Sequence, residues 1–160
     1  MQEDPARRNA WVVAAFAAAL DLAAVVCAYG FVSLLTDVEV IASPEAGRLV
    51  GPFAIGASVA AVLLTLAHTL RRPERQSPSV VFSALWSWVS AVVVAAIGYA
   101  FATGTLMAAV LFGLGFGIGW FGLLIPALAA VVASLAALVA RGRSSGMERP
   151  RWPWEHDDEE

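Results

Sequence analysis

Residues 11–36 of the chain read WVVAAFAAALDLAAVVCAYGFVSLLT, an apolar run with one charged residue, Asp21, near its middle. At about 1.5 Å per helical residue, this run is longer than the roughly 30 Å hydrocarbon core of a bilayer. On insertion scales the carboxyl opposes membrane insertion by about 3 kcal/mol, whereas the large apolar residues favour it by roughly 5 kcal/mol. The stretch therefore predicts a transmembrane helix, and it is too long for the apolar region of a cleaved signal peptide.

The composition of the whole chain agrees with a membrane protein. Of its 160 residues, 59% are hydrophobic and 14% are charged, and the mean hydropathy is +0.73, far from the values of a soluble domain. We predict an all-α polytopic membrane protein, a four-helix transmembrane bundle over residues 11–141. The expected spans are about 11–36, 50–70, 79–103 and 117–141. Residues 1–10 are expected to form a cytoplasmic lead, and 142–160 a disordered cytoplasmic tail.

The last apolar run, residues 106–140, is too long for one span, because a continuous helix would measure roughly 52 Å. Glycine occupies every second position from Gly113 to Gly119, at a cost of about 1 kcal/mol each in helix propensity. We therefore predict a broken run, with a short helix or re-entrant segment near 106–112 and a final span from about Gly117 to Arg141. A continuous helix with a protruding end is the alternative.

The distribution of arginine predicts the orientation. Arginines precede the first span, follow the last one and cluster in the connection 71–77, whereas the connection 37–48 has one and 103–105 has none. The positive-inside rule then places both termini in the cytoplasm, with the protein in the cell membrane (plasma or inner membrane). The net charge of −3 indicates no charged partner, since five of the thirteen acids lie in the last six residues.

Asp21 is the main candidate for a functional residue, because an ionisable group inside a membrane is costly. The residues at helical spacing from it are small, so the carboxyl is expected to face other helices rather than lipid. These neighbours are Ala14, Ala17, Ala18, Ala24, Val25 and Ala28. Counted along the helices, Asp21, Ser58 and Ser90 all lie about 15 to 18 Å from the cytoplasmic border. We predict that these three residues form a buried polar or coupling site.

Two roles for Asp21 are open at this point. One is a neutral carboxyl that hydrogen-bonds across helices and fixes their packing, since burial disfavours the charged form. The other is a group that couples to a proton or a cation. Ser83, Ser87 and Ser90 share one face of the third helix and either pack against another helix or line a polar path. His68 lies about 10 Å nearer the cytoplasm than Asp21 and is expected at the interface.

Residues 117–122 read GIGWFG and match the Gly-x-Gly-x-x-Gly dinucleotide fingerprint. The match fails in context, because no strand precedes it and the phosphate would lie in lipid. We interpret Gly117, Gly119 and Gly122 as residues of close helix packing or of a helix break. The chain has no zinc-protease, nucleophile-elbow or Walker motif, and with Cys27 as its only cysteine a disulfide framework and a cysteine metal site are excluded. We expect no enzymatic activity, catalytic residue, metal or cofactor.

Three segments carry a family resemblance, namely 11–16 (WVVAAF), 29–37 (YGFVSLLTD) and 122–127 (GLLIPA). They resemble small four-span proteins of unknown function from high-GC actinobacteria, which implies a multi-pass cell-membrane protein and no particular activity. A non-enzymatic protein that acts by packing, as an accessory or assembly partner, is the first hypothesis. Its partners would be the bilayer and a second copy or another membrane protein, with no nucleic acid.

A small transporter or transporter subunit with Asp21 as the coupling residue is the alternative. Four short helices with one acid in the first are similar in arrangement to small multidrug-resistance exporters. Those proteins have tighter loops and a glutamate, and neither the tail nor the long fourth run of this chain matches them.

Overall fold

The computed structural model describes residues 5–37, 41, 44–47, 49–70 and 77–144. These residues form five helices, which confirms the all-α class, and a short 3₁₀ turn, Pro44–Ala46, lies between the first two. The helices are α1 (Pro5–Thr36), α2 (Val50–Thr69), α3 (Ser77–Thr103), α4 (Leu106–Ile118) and α5 (Trp120–Ser144). The tail after Ser144, and with it the expected disorder, lies outside the described residues. Helix α1 begins at Pro5, so the polar lead contributes to its first turns, where proline is favoured.

Four of the helices are long and apolar enough to cross a membrane. The apolar stretches are Ala10–Thr36, Val50–Thr69, Val80–Thr103 and Trp120–Gly142. Large apolar side chains cover the outside of the bundle, and Phe101 is 88% exposed and Leu34 86% exposed. In water so much exposed apolar surface would drive aggregation, whereas in a bilayer it contacts acyl chains. The structure thus has the features of a multi-pass membrane protein.

Helices α1, α2, α3 and α5 form a ring in which each packs against the next. Two buried apolar clusters define its ends. The terminal-end cluster consists of Ala14, Ala17, Val62, Leu66, Ala67, Ala129, Val132, Ala133 and Ala136. The loop-end cluster consists of Val25, Tyr29, Ala91, Phe121 and Ile125. Neighbouring helices of the ring are therefore antiparallel, and α1 and α3 begin at the terminal end, where α2 and α5 finish.

Residues with positive φ end two of the helices. Asp37, with φ 54°, follows α1, and Gly104, with φ 71°, follows α3. The left-handed region is open to glycine and is tolerated by aspartate better than by most residues. The amide of Gly104 also bonds to the carbonyl oxygen of Ala100 at 2.8 Å, which is a common way to close a helix.

The fourth apolar run is broken, as predicted, and the break lies at Gly119, the last residue of the glycine-rich stretch Gly113–Gly119. Helix α4 continues through Gly113 and Gly117 to Ile118, and Gly119 is extended, with φ −64° and ψ 161°. The final span consequently starts at Trp120, and Gly117 belongs to α4. The short helix is thus longer than the expected 106–112, because the prediction counted the propensity cost of Gly113 and Gly117 and not their close contact with α3.

Candidate functional site

Asp21 lies on the face of α1 that packs inside the bundle. Its side chain is fully buried, whereas Phe16 on the opposite face is 76% exposed. Along α1, Asp21 follows Ala14 and Ala17 of the terminal-end cluster and precedes Val25 of the loop-end cluster. The orientation expected from the alanine face is therefore observed, and the carboxyl lies in the layer between the two apolar clusters.

Ser58 occupies the corresponding place on α2. It is fully buried, and it lies between Val62 of the terminal-end cluster and Ile55, which packs against the loop-end cluster. Helices α1 and α2 are antiparallel neighbours, so Asp21 and Ser58 lie in the same layer. The equal depth expected from the sequence agrees with this placement.

The carboxyl of Asp21 has no hydrogen-bond partner, and neither has the hydroxyl of Ser58. The expected bonds from Asp21 to Ser58 and Ser90 are thus not formed. Ser90 instead donates to two carbonyl oxygens, that of Ser87 at 2.9 Å and that of Ala57 on α2 at 3.3 Å. The sequence predicted how deep each residue lies along its helix. It did not predict the direction of each side chain around its helix, on which a direct bond also depends.

An unpartnered buried carboxyl is chemically unusual, because burying a polar group without a hydrogen bond costs free energy and burying its charge costs far more. The polar atoms in this layer that lack a partner are the two Asp21 oxygens and the Ser58 hydroxyl oxygen. Calcium takes six to eight oxygen ligands and magnesium six, and no group of three His, Cys, Asp or Glu side chains includes Asp21 in the described residues, whereas a proton needs only the carboxyl. Tyr29 is the other buried titratable residue of the described chain, and its hydroxyl donates to the Phe121 carbonyl at 2.8 Å.

Most of the predicted packing alanines serve the interior of the chain itself. Ala14, Ala17 and Ala18 are buried, and the first two contact residues of α2 and α5 within the terminal-end cluster. Ala24 and Ala28 are half-buried. Small residues on α1 therefore allow the close approach of helices that enclose Asp21.

The predicted glycines also pack within the chain. A Cβ at Gly117 would lie 2.8 Å from Val92 Cγ2, and a Cβ at Gly122 would collide with the backbone of Phe116 and Gly117. Gly119 is the break itself. Gly113 was not chosen as a packing residue, although a Cβ there would lie 2.8 Å from the Cβ of Ala96. The sequence contained a signal for this packing role, because Gly113 lies four residues from Ala109 and four from Gly117, a spacing typical of close helix contacts.

Two aromatic residues with a polar tip contribute to the packing of this region. Trp88 donates its indole N–H to the Gly117 carbonyl at 3.0 Å and holds α4 against α3. Tyr29 is buried, and its ring meets Phe121 edge-on with centroids 5.0 Å apart. Both carry a polar tip on an apolar body, which permits a buried position once a partner is present.

The other candidate groups lie away from Asp21. His68 is exposed near the end of α2, in agreement with an interfacial place, and Cys27 is exposed on α1. Within the described ranges, no three His, Cys, Asp or Glu side chains are grouped as metal ligands would be. Asp21 and its layer are therefore the candidate site that the fold offers.

Comparison with known proteins shows the family of the chain. The model of a family described as a family of unknown function (DUF6121) matches residues 1–160. No curated protein and no solved structure matches the chain. The expectation that the chain belongs to a family of unknown function is confirmed. The description of the family assigns no activity.

Proposed function

The chain belongs to this family of unknown function, and we propose that it is a non-enzymatic membrane protein in which Asp21 binds and releases a proton, as a small transporter or a subunit of one. The observation that carries the proposal is the buried carboxyl whose two oxygens have no partner. An ionisable residue inside a membrane bundle is commonly part of a proton or substrate pathway.

The same observation weakens the purely structural role of Asp21. A carboxyl that fixes helix packing does so by bonding to a neighbouring helix, and Asp21 makes no such bond. The hypothesis of an accessory or assembly protein rested on the alanine- and glycine-rich faces. Ala14 and Ala17 pack inside the bundle, and Gly113 and Gly117 face α3, so these faces no longer indicate an external partner.

The membrane and the orientation complete the proposal. We place the protein in the cell membrane of a bacterium, in line with the resemblance to proteins of high-GC actinobacteria, and both termini in the cytoplasm. Support for the orientation comes from the arginines before α1, after α5 and in the connection between α2 and α3. The terminal end of the bundle is then its cytoplasmic end.

Proton release on substrate binding tests the proposal. Purified protein in weakly buffered proteoliposomes is mixed with tetraphenylphosphonium and then with a panel of other lipophilic cations, while a pH indicator reports free protons. We expect up to one proton per chain from the wild type and none from Asp21→Asn. Ser134→Ala is the control, because Ser134 bonds only to the carbonyl of its own helix at Ala130. Equal release from Asp21→Asn, or no release with any cation, would refute the coupling role.

A further inference from the structure

The interface between α2 and α3 carries a row of hydroxyl groups that the proposed function does not yet use. Thr65 Oγ1 and Ser83 Oγ are 3.0 Å apart across the interface. Ser87 is fully buried and bonds to the Ala84 carbonyl at 2.9 Å. We call this row the hydroxyl seam; its members are Ser58, Thr65 and Thr69 on α2 and Ser83, Ser87 and Ser90 on α3.

The position of the seam follows from the register of the two helices. Ser90 bonds to Ala57, Thr65 bonds to Ser83, and a Cβ at Gly98 would lie 2.9 Å from Val50. In an antiparallel pair these contacts put Ser58 and Ser90 at one level. All other members of the seam lie closer to the terminal end of the bundle than Ser58 and Ser90 do.

The opposite half of the same interface is apolar, and we call it the apolar half. From Ser58 toward the loop end it contains the buried cluster Val50, Ala54 and Ala95, against which Phe112 and Phe116 of α4 pack. Gly98 is in close contact with Val50. The next polar side chain of α3 in that direction is Tyr99, whose ring stacks on Phe112 with centroids 4.5 Å apart. The polar groups of the interface therefore lead from the Asp21 layer to one end only.

Two unpartnered buried polar groups lie at the level of the inner end of the seam. The Ser58 hydroxyl and the Asp21 carboxyl are fully buried and unpartnered. Seam hydroxyls that bond to carbonyls of their own helix are satisfied, as is usual for serine and threonine in membrane helices. Ser58 departs from this pattern at the level where the seam meets the layer of Asp21.

We infer that the hydroxyl seam is the proton path of Asp21 and that it admits water from the terminal end of the bundle only. The inference rests on the proposed function. For each proton released, the Asp21 carboxyl becomes a carboxylate, each hydroxyl or water on the path accepts one proton and passes on another, and one proton enters the medium at the terminal end. Reloading follows the reverse path, and no redox partner is required.

Cysteine accessibility tests the path. In a Cys27→Ser background, single cysteines replace Ser83 or Ser87 in the seam and Ala54 or Ala95 in the apolar half. All four native residues are fully buried. Ala95 is nearer to the loop end of α3 than Ser87 is to its terminal end, so depth alone favours labelling at Ala95. The folded variants in mild detergent are treated with a small, charged, water-soluble thiosulfonate reagent.

We expect Ser83→Cys and Ser87→Cys to be labelled at least about tenfold faster than Ala54→Cys and Ala95→Cys. Equal rates in both halves, or faster labelling in the apolar half, would overturn the inference. A seam variant that melts below the Cys27→Ser parent is replaced by Thr65→Cys, and for the apolar half whichever of Ala54→Cys and Ala95→Cys keeps the parent's melting temperature is used. Their outcomes are read in the same way.

Exchange at Asp21 gives a second readout. Infrared spectroscopy follows the hydrogen–deuterium exchange of the Asp21 carboxyl after transfer to heavy water. We expect Ser87→Val to slow this exchange by about tenfold and Ser134→Val, a hydroxyl off the seam, to leave it unchanged. An unchanged rate in Ser87→Val contradicts the path while leaving proton release by Asp21 intact. The proposed function itself would be refuted by equal proton release from Asp21→Asn and the wild type, whatever the labelling pattern.

Discussion

Asp21 on α1 and Ser58 on α2 are fully buried in one layer of the bundle, and neither side chain has a hydrogen-bond partner. Apolar clusters lie on both sides of this layer. Because an unmade hydrogen bond in an apolar environment costs free energy, this buried polar pair lowers the stability of the bundle. Helix packing therefore does not account for it, whereas the proton exchange that we propose for Asp21 would use a carboxyl of this kind.

Asp21→Asn is expected to leave stability nearly unchanged while it removes proton release. No hydrogen bond of Asp21 is lost, and asparagine has almost the same shape, so the change in the free energy of unfolding should stay below about 1 kcal/mol. Thermal unfolding in mild detergent measures it. A loss of about 2 kcal/mol or more would mean that the carboxyl holds helices together, as in the structural role considered from the sequence.

Gly113→Ala and Gly115→Ala form a matched pair on α4. A Cβ at Gly113 would lie 2.8 Å from the Ala96 Cβ, whereas nothing lies within 4 Å of a Cβ at Gly115. We expect Gly113→Ala to destabilise the protein by about 1 to 3 kcal/mol through overpacking, and Gly115→Ala to be neutral or stabilising by up to about 1 kcal/mol through helix propensity. Melting temperatures of the two variants measure the difference. Equal temperatures would show that α4 does not pack on α3 in this way.

The bond between Thr65 and Ser83 is accessible to a double-mutant cycle. Their hydroxyl oxygens are 3.0 Å apart in the buried part of the α2–α3 interface. Thr65→Val, Ser83→Ala and the double variant should give a coupling energy of about 0.6 kcal/mol, the average for such bonds between membrane helices. Thr69→Val with Ser83→Ala is the control, because Thr69, like Thr65, bonds to carbonyls of its own helix but makes no bond to Ser83. Coupling as large in the control as in the test pair would contradict the observed register.

The sequence predicted the fold through physical constraints that act along one helix at a time. Bilayer thickness sets the length of a span, so the four apolar stretches followed from the sequence. The alanine periodicity around Asp21 set the direction of that residue, and its burial followed. The break in the fourth run was predicted because no bilayer accommodates a helix of that length.

Contacts between helices could not be predicted from the sequence in this way. Ser90 bonds to Ala57 rather than to Asp21, and the bond between Thr65 and Ser83 depends on how α2 and α3 are rotated about their axes. The position of the break depends on Gly113 and Gly117 fitting against Ala96 and Val92. Such details require the partner helix, whereas the periodicity of one helix only supplies its buried face.

The infrared absorption of the Asp21 carboxyl is the most direct test of proton exchange. The difference between the wild-type and Asp21→Asn spectra isolates the carbonyl stretch of a protonated carboxyl at this position. We predict that this band is present, disappears as the pH is raised while the protein stays folded, and returns on acidification. A band that persists at every such pH, or one that is absent throughout, would show that Asp21 does not exchange its proton and would contradict the proposed function.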